Sequence, residues 1–219
     1  MSTSSGRAAA SAEPGGNMTD RILQAAGEVF ADQGLGATLA DVAARAGVGV
    51  ATVYRRFANK DELILASFEI RFRQSQTDVL RAIEEADPWT GFVEFFEGGV
   101  HLFSQDRGFR EFVVGGYAES VGWARASSHD HVVTVIRRHQ QFMREALERM
   151  LLRCQEAGAV RDDVHPSDLL ALTMAAVSSI DFGALKGNPA IHRRVIGVIL
   201  DGLRPARNAP TPLPPATSG

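Results

Sequence analysis

The sequence predicts an all-α protein in which an N-terminal three-helix domain is followed by a larger helical bundle. Two observations predict this fold class. Apolar residues recur at spacings of three and four in successive stretches of the chain, which is the period of an amphipathic helix. Residues that begin helices (Thr, Asn, Pro) and residues that end them (chiefly Gly) stand at the boundaries of these stretches. With 219 residues and 45% hydrophobic content, the chain can bury a substantial core.

The first predicted helix begins at Thr19 or Asp20 and ends at Gln33, because Gly34 follows it. Residues 1–17 are rich in Ser, Ala and Gly and have nothing to bury, so we expect a disordered arm there. Whether Met18 is the true start stays open. The side chains expected to face the core are Ile22, Ala25, Ala26, Val29 and Phe30.

The second predicted helix is short and has well-marked ends. Thr38 is its N-cap, and Asp41 three residues later completes a variant of the capping box. Gly47 ends it, since glycine readily adopts the left-handed conformation of a helix C-terminus. One face is apolar: Leu39, Val42, Ala43 and Ala46.

A third helix is expected to begin near Gly49 or Val50, directly after a tight turn. Val50, Val53 and Phe57 are spaced to anchor it to the core. Small residues permit close approach to a DNA groove, while Thr, Tyr and Arg bind base edges and phosphates. The two short helices therefore predict a helix-turn-helix unit. Its outward residues are Ala51, Thr52, Tyr54, Arg55 and Arg56.

Residues 22–64 resemble the DNA-binding domain of the TetR family of transcriptional repressors. The residues that carry the resemblance are Ala25, Phe30, Gly34, Thr38, Val42, Ala43, Ala46, Gly47, Val48, Tyr54, Phe57, Lys60 and Leu63. It implies a DNA-phosphate contact for Lys60, whose charge in the first turn of the next helix opposes the helix dipole. The expected DNA contacts are Thr38, Gly49, Val50, Ala51, Thr52, Tyr54, Arg55, Arg56 and Lys60.

Two residues depart from the family pattern. Gly49 stands where many members carry Ser at the N-cap of the third helix, which costs about a few tenths of a kcal/mol and puts a hydroxyl contact to phosphate in doubt. Arg56 replaces a His or Tyr and adds positive charge on the DNA side. Which of Arg55 and Arg56 reads bases stays open.

A long helix is expected after Asn59, an N-cap whose capping box Glu62 completes, and it should reach about Ala86 before Pro88. Such a rod of about 40 Å would connect a DNA-binding domain at residues 18–64 to an effector-binding and dimerisation domain at residues 65–204. The Pro-rich residues 205–219 predict a disordered tail.

Residues 88–123 are unusually aromatic, and their glycine pairs predict kinks or short helices. Taken singly, most of these rings are explained by a helical core; as a group they favour an apolar cavity for a small molecule. His139 is either a core histidine or a ligand contact. The candidate pocket residues are Phe92, Phe95, Phe96, Phe103, Phe112, Tyr117, Trp123, His139, Met143 and Asp181.

Three further helices complete the predicted bundle. A loop at 124–130 leads into a helix at 131–157 that Gly158 ends, Pro166 opens the next helix, and the last one follows Pro189. The family resemblance implies that the final two pair with a second copy, so a homodimer is expected through residues 166–185 and 190–204. Asp181, inside an apolar helix, either pairs within the dimer or binds a ligand.

The stretches WTGFVEFF, GYAES and LDGLRP resemble a recurrent effector-domain type of actinobacterial family members, which names no ligand. The family resemblance implies a regulator that represses transcription by binding a palindromic operator in double-stranded DNA. A small apolar or amphipathic effector is expected to bind one state of the dimer and release the operator.

Other function classes find little support. The net charge of −3 argues against a non-specific DNA-coating protein, although three of the five basic residues between Met18 and Lys60 lie within 55–60. No nucleophile and base, paired carboxylates or phosphate-binding loop is spaced for catalysis, so neither an enzyme nor a cofactor is expected. His129 and His131 lack the partners of a metal site.

The expected location is a reducing cytoplasm. Cys154 is the single cysteine, so the chain has no internal disulfide. No apolar run approaches the roughly 18 residues of a membrane span, and the N-terminus lacks the order of a signal peptide.

Overall fold

The computed structural model describes residues 18–114, 130–179 and 189–205, and every regular element in these ranges is an α-helix, as the sequence predicts. The helices are α1 (Met18–Gln33), α2 (Leu39–Ala46), α3 (Val50–Arg56), α4 (Lys60–Glu84), α5 (Pro88–Gln105), α6 (Arg107–Val114), α7 (Asp130–Glu156), α8 (Pro166–Ser178) and α9 (Pro189–Leu203). The expected arm at 1–17, the loop at 124–129, the end of the eighth helix beyond residue 179 and the tail after residue 205 lie outside the described residues.

None of the helices in the described ranges combines the length and the apolar character that crossing a membrane requires.

The end of α1 at Gln33 and both ends of α2 agree with the sequence prediction, while α1 begins at Met18, slightly before the predicted Thr19 or Asp20. Asp41 N–H donates to Thr38 Oγ1 at 3.2 Å, and Thr38 N–H donates to Asp41 Oδ2 at 2.7 Å, which completes the capping box. Gly34 and Gly47 have φ angles of 76° and 66°, a region that favours glycine. The core faces predicted for both helices are buried.

One prediction for α3 is wrong, and one for the cap of α4 is half right. Val50 is 39% exposed, so Val53 and Phe57 alone anchor the helix to the core. The cap of α4 is half as predicted: Asn59 accepts from Glu62 N–H at 2.9 Å, but Glu62 accepts from Ala58 N–H rather than from Asn59. The carboxylate thus binds a free amide one residue further out from the helix.

The pair Gly98–Gly99 does not interrupt α5, which runs as one helix of 18 residues, whereas α6, with eight residues, is one of the short helices that the glycine pairs of 88–123 predict. Pro88 is its first residue, and Asp87 Oδ2 accepts from Thr90 N–H at 3.1 Å as the N-cap. Each glycine weakens a helix by roughly 1 kcal/mol, but burial of three large side chains offsets this cost. Those side chains are Phe92, Phe96 and Val100.

The buried side chains form two clusters. We call α1–α3 the head, and α5 together with α7–α9 the body. The first cluster joins the head to the first half of α4 and to α6, and its central ring, Phe68, packs edge-on against three others. These are Phe30, Phe109 and Phe112, at centroid distances of 6.3, 5.4 and 5.5 Å. The second cluster joins the end of α4 to the body.

Helix α6 is fixed against the head at its first turn. Asp106, 2% exposed, accepts from Phe109 N–H at 2.9 Å and from Arg71 Nε of α4 at 3.1 Å. Gly108 lies so close to α1 that a Cβ atom added there would be 2.6 Å from the Phe30 carbonyl oxygen. Only a residue without a side chain permits this approach of the two backbones.

We therefore expect Gly108→Ala to lower the free energy of unfolding by about 1–3 kcal/mol, because the added methyl group must push α6 away from α1. Urea unfolding followed by circular dichroism measures this change. Gly98→Ala is the matched control, since a Cβ there meets nothing within 4 Å and should stabilise α5 by about 0.5–1 kcal/mol. Equal stability of the two variants would contradict the close approach.

Candidate DNA interface and effector region

The outer surface of α3 presents the residues that the sequence predicts to face outward. Val53 is fully buried and Phe57 is 5% exposed, so the helix has one inner side. On the other side, Tyr54 is 57% exposed. We call the following set the α3 face, all of it exposed except the half-buried Thr52: Gly49, Val50, Ala51, Thr52, Tyr54, Arg55 and Arg56.

Both arginines of the α3 face are oriented by hydroxyl groups. Arg55 donates to Thr52 Oγ1 at 2.9 Å within the helix, whereas Arg56 donates to Thr19 Oγ1 of α1. A guanidinium group has five N–H donors, so each arginine retains donors beyond these bonds. Both arginines also lie in the last turn of α3, where a positive charge interacts favourably with the helix dipole.

Lys60 is the first residue of α4 and follows the last residue of α3, Arg56, by four positions in the chain. Its Nζ donates to the backbone carbonyl of Leu35, in the loop between α1 and α2. Burial lowers the pKa of the Lys60 amine, while Asp61 and Asp41 act in the opposite direction. An ammonium group has three N–H donors and this bond uses one, so an anion can bind without breaking it.

Thr38 and Gly49, two further expected contacts, are exposed helix caps. The Thr38 hydroxyl accepts from Asp41 N–H and donates to Asp41 Oδ2 at 2.6 Å, and this donation, together with that of the Thr38 backbone N–H, lowers the pKa of the Asp41 carboxyl. Gly49 makes no side-chain cap, as its missing hydroxyl implies. Thr38 is therefore already engaged, whereas Gly49 can offer only its backbone.

The structure divides the candidate pocket residues between the two clusters. We call the first cluster the head cluster and the second the body cluster. Phe112 lies in the head cluster, and Phe103 packs against both clusters. The remaining described aromatic and methionine candidates belong to or pack against the body cluster: Phe92, Phe95, Phe96 and Met143. Tyr117, Trp123 and Asp181 lie outside the described residues.

His139 is a residue of α7 that packs against α4 and is half-buried. Its ring centroid is 4.4 Å from that of Phe72, and its Nδ1 is 3.3 Å from Gln76 Nε2. Burial lowers the pKa of His139 to about 4, so the ring is neutral near pH 7. A neutral imidazole that accepts from the Gln76 amide at Nδ1 carries its proton on Nε2 and can donate there.

Several contacts that hold the head together were not predicted. Arg21 donates to the Ala46 carbonyl at the end of α2, and Arg45 pairs with Glu28 of α1 at 2.9 Å. Leu35 N–H donates to Glu111 Oε2 of α6 at 2.8 Å. Asp106 had a usable sequence signal, since an Asp between two apolar helical runs is typical of an N-cap. Glu111 had none, because its partner is 76 residues away.

Within the described ranges, no group of three or more His, Cys, Asp or Glu side chains is placed to hold a metal ion. Cys154 is buried, and burial raises the pKa of its thiol to about 11.

Two family models match the chain. One, described as bacterial regulatory proteins of the tetR family, matches residues 22–67. The other, described as the C-terminal domain of SbtR-like transcriptional regulators, matches residues 87–205, which is more than half of the chain. No curated protein sequence gives a significant match.

Solved structures of similar fold come from the same kind of regulator. The TetR transcriptional regulator SCO0520 from Streptomyces coelicolor is 25% identical, and the match covers 85% of this chain and 98% of that one with a TM-score of 0.54. FadR from Bacillus subtilis, solved with stearoyl-CoA, is 16% identical over 84% of this chain and 99% of its own, with a TM-score of 0.56.

A third structure, AibR in complex with isovaleryl coenzyme A and operator DNA, is 18% identical over 85% of this chain and 98% of its own, with a TM-score of 0.58. At these identities FadR and AibR show a shared fold alone. The two family models match in the order in which the helix-turn-helix and the bundle occur here. The chain therefore belongs to the TetR family of transcriptional regulators, which are DNA-binding proteins and not enzymes.

Proposed function

We propose that this regulator is a homodimeric repressor in which α3 of each copy enters the major groove of a palindromic operator. The observation that carries the proposal is the α3 face, where Tyr54, Arg55 and Arg56 are exposed while Val53 and Phe57 hold the helix in the core. Such a short helix cannot read DNA unless the core fixes its orientation.

The proposed domain division assigns residues 18–64 to DNA binding and residues 65–204 to effector binding and dimerisation. Two-fold symmetry would place the two α3 faces on half-sites separated by about 10 base pairs or a multiple of that. The proposed DNA contacts are the α3 face with Thr38 and Lys60. Repression would follow from blocking polymerase, and because the proposed partner is operator DNA, we place the protein in the cytoplasm.

We further propose a small apolar or amphipathic effector that binds among the aromatic side chains of α5 and α7. The neutral His139 ring could donate a hydrogen bond to it. Acyl-CoA thioesters are the first compounds to test, since FadR and AibR were solved with such molecules. Coupling of ~1–3 kcal/mol between the effector and operator sites would lower operator affinity by about 5- to 150-fold.

A footprinting experiment on the DNA upstream of the chain's own gene tests the DNA-binding function. We expect protection of two symmetric half-sites at concentrations that leave random DNA unprotected. Equal protection of both DNAs would instead indicate a non-specific DNA-binding protein and would reject the repressor.

The two arginines of the α3 face give a second prediction. Arg55→Ala and Arg56→Ala should each weaken operator binding, and loss of a phosphate contact should reduce the slope of log K against log[salt] by about 0.9. A base contact should instead cost ~1–3 kcal/mol at one operator position. Gel shifts at several salt concentrations measure both effects.

Arg144→Ala is the matched control for the arginine variants, because Arg144 is exposed on α7 and the substitution removes the same charge. It should bind the operator like the wild type. If Arg55→Ala and Arg56→Ala also retain wild-type affinity and salt slope, their assignment to the interface fails.

The proposed dimer interface consists of α8 and α9. Val198 of α9 is 73% exposed, the highest exposure among the large apolar side chains described as exposed. Ala171, Ala175 and Ser178 form an exposed strip of small residues along α8, at spacings of four and three. Small residues let a second helix approach closely, which supports pairing of the two helices with their mates.

We expect Val198→Glu to shift the protein from dimer to monomer, because a buried and unpaired carboxylate should raise the dimer dissociation constant by about 100-fold or more. Size-exclusion chromatography with light scattering gives the mass. Leu152→Glu serves as the control, since Leu152 is 55% exposed on α7 and lies outside the proposed interface. A dimeric Val198→Glu variant would place the interface elsewhere.

A further inference from the structure

The loop between α1 and α2 connects α6 to Lys60 through one residue. Leu35, 9% exposed, donates its N–H to Glu111 Oε2 of α6 at 2.8 Å and accepts from Lys60 Nζ of α4 at its carbonyl. The two bonds use both polar groups of the residue, and neither comes from a helix of the head. Leu35 is thus held from two directions by elements outside the loop.

The position of the Glu111 carboxylate is set by a bond from Arg107, by the fixed start of α6 and by the space left at Gly34. Arg107 Nε donates to its Oε1 at 2.6 Å, one turn earlier on α6. The start of α6 is fixed by Asp106 and by the close approach of Gly108 to α1. At the loop, a Cβ atom on Gly34 would be 2.5 Å from Glu111 Oε2, so the carboxylate occupies space that only glycine leaves open.

The chemistry of the two bonds makes Leu35 a firm connection. An ionised carboxylate is a stronger acceptor for an amide N–H than a neutral group is. Lys60 is half-buried, so its ammonium group needs a partner, and the Leu35 carbonyl supplies one. A displacement of α6 would therefore move Leu35, and Leu35 would move the Lys60 ammonium group with it.

From this geometry we infer that Glu111 is a positioning residue for operator binding: through the Leu35 peptide it sets where the Lys60 ammonium group meets a DNA phosphate. The inference rests on the proposed phosphate contact of Lys60.

Three substitutions of Glu111 separate the effect of its side-chain length on operator binding from the effect of its charge. Glu111→Ala removes the acceptor, and Glu111→Asp keeps the charge but is shorter by one methylene, about 1.5 Å, so it cannot reach Leu35 N–H from a fixed α6. Both should weaken operator binding by about 5- to 20-fold and lower the salt slope by about 0.9. Glu111→Gln retains one acceptor oxygen of the same reach for Leu35 N–H but turns its NH2 group toward Arg107 Nε, so it should bind less tightly than the wild type and at least about 2-fold more tightly than Glu111→Ala.

Two kinds of control accompany these variants. Glu97→Ala and Glu97→Gln, exposed on α5, carry the same charge changes and report long-range electrostatic effects alone. Lys60→Ala should lower affinity and salt slope like Glu111→Ala, and the double variant should be no more than about 2-fold weaker than Lys60→Ala. Thermal unfolding shows whether each variant is folded. If Glu111→Ala does not fold, Glu111→Asp alone tests the inference.

Each outcome decides between the inference and the proposed function. Wild-type affinity of Glu111→Asp and Glu111→Ala, with a weakened Lys60→Ala, would overturn the inference and leave the DNA contact of Lys60 intact. Weaker binding of the Glu111 variants with an unchanged salt slope, or additive with Lys60→Ala, would show a purely structural role and also overturn it. If Lys60→Ala itself changes nothing, the phosphate contact and the inference fail together, while the arginine variants test α3 separately.

Discussion

The burial of Val53 and Phe57 is the constraint on which the proposed DNA-binding surface depends. A helix of seven residues has too few internal hydrogen bonds to be stable alone, so its orientation comes from side chains packed into the core. Fixing the inner side leaves the α3 face exposed by geometry, and its arginines then find hydroxyl partners at Thr52 and Thr19. The surface is thus a consequence of how the core is packed.

The same core extends beyond the head, and this links DNA binding to the rest of the molecule. Phe109 and Phe112 of α6 pack on Phe68 of α4 together with Phe30 of α1, so one aromatic group spans three helices. Interiors packed in this way transmit displacements because they have few voids to absorb them. A change in α6 would therefore reach the head through packing as well as through the Leu35 bonds.

Local sequence patterns were sufficient for the helices and for the exposure of most side chains of the α3 face. The capping box of Thr38 and Asp41 and the left-handed Gly47 depend on neighbours in the chain, and both were predicted correctly. The exposure of Val50 was not, because three apolar residues at helical spacing do not show which of them the core has room for. Likewise, Gly98 and Gly99 predicted a break that burial of the adjacent phenylalanines prevents.

Contacts between distant parts of the chain could not be predicted. The bond between Leu35 and Glu111 joins residues 76 positions apart. No neighbouring sequence distinguishes Glu111 from other glutamates, or the Leu35 amide from other loop amides. The aromatic residues of 88–123 show the same limit, since their composition indicated one cavity while the structure assigns Phe112 to the head cluster and Phe92 to the body cluster. Spacing along a helix shows which residues share a face, but it does not show which other helix packs against that face.

Photo-crosslinking from the α3 face can show whether this surface contacts the operator. A benzophenone side chain replaces Tyr54, 57% exposed on α3, or Leu152, 55% exposed on α7 as the control. We expect crosslinks to the duplex upstream of the gene from position 54 alone, and excess unlabelled duplex of that sequence, but not random DNA, should abolish them. Crosslinks of equal yield from both positions, or none from position 54 while the DNA is bound, would contradict it.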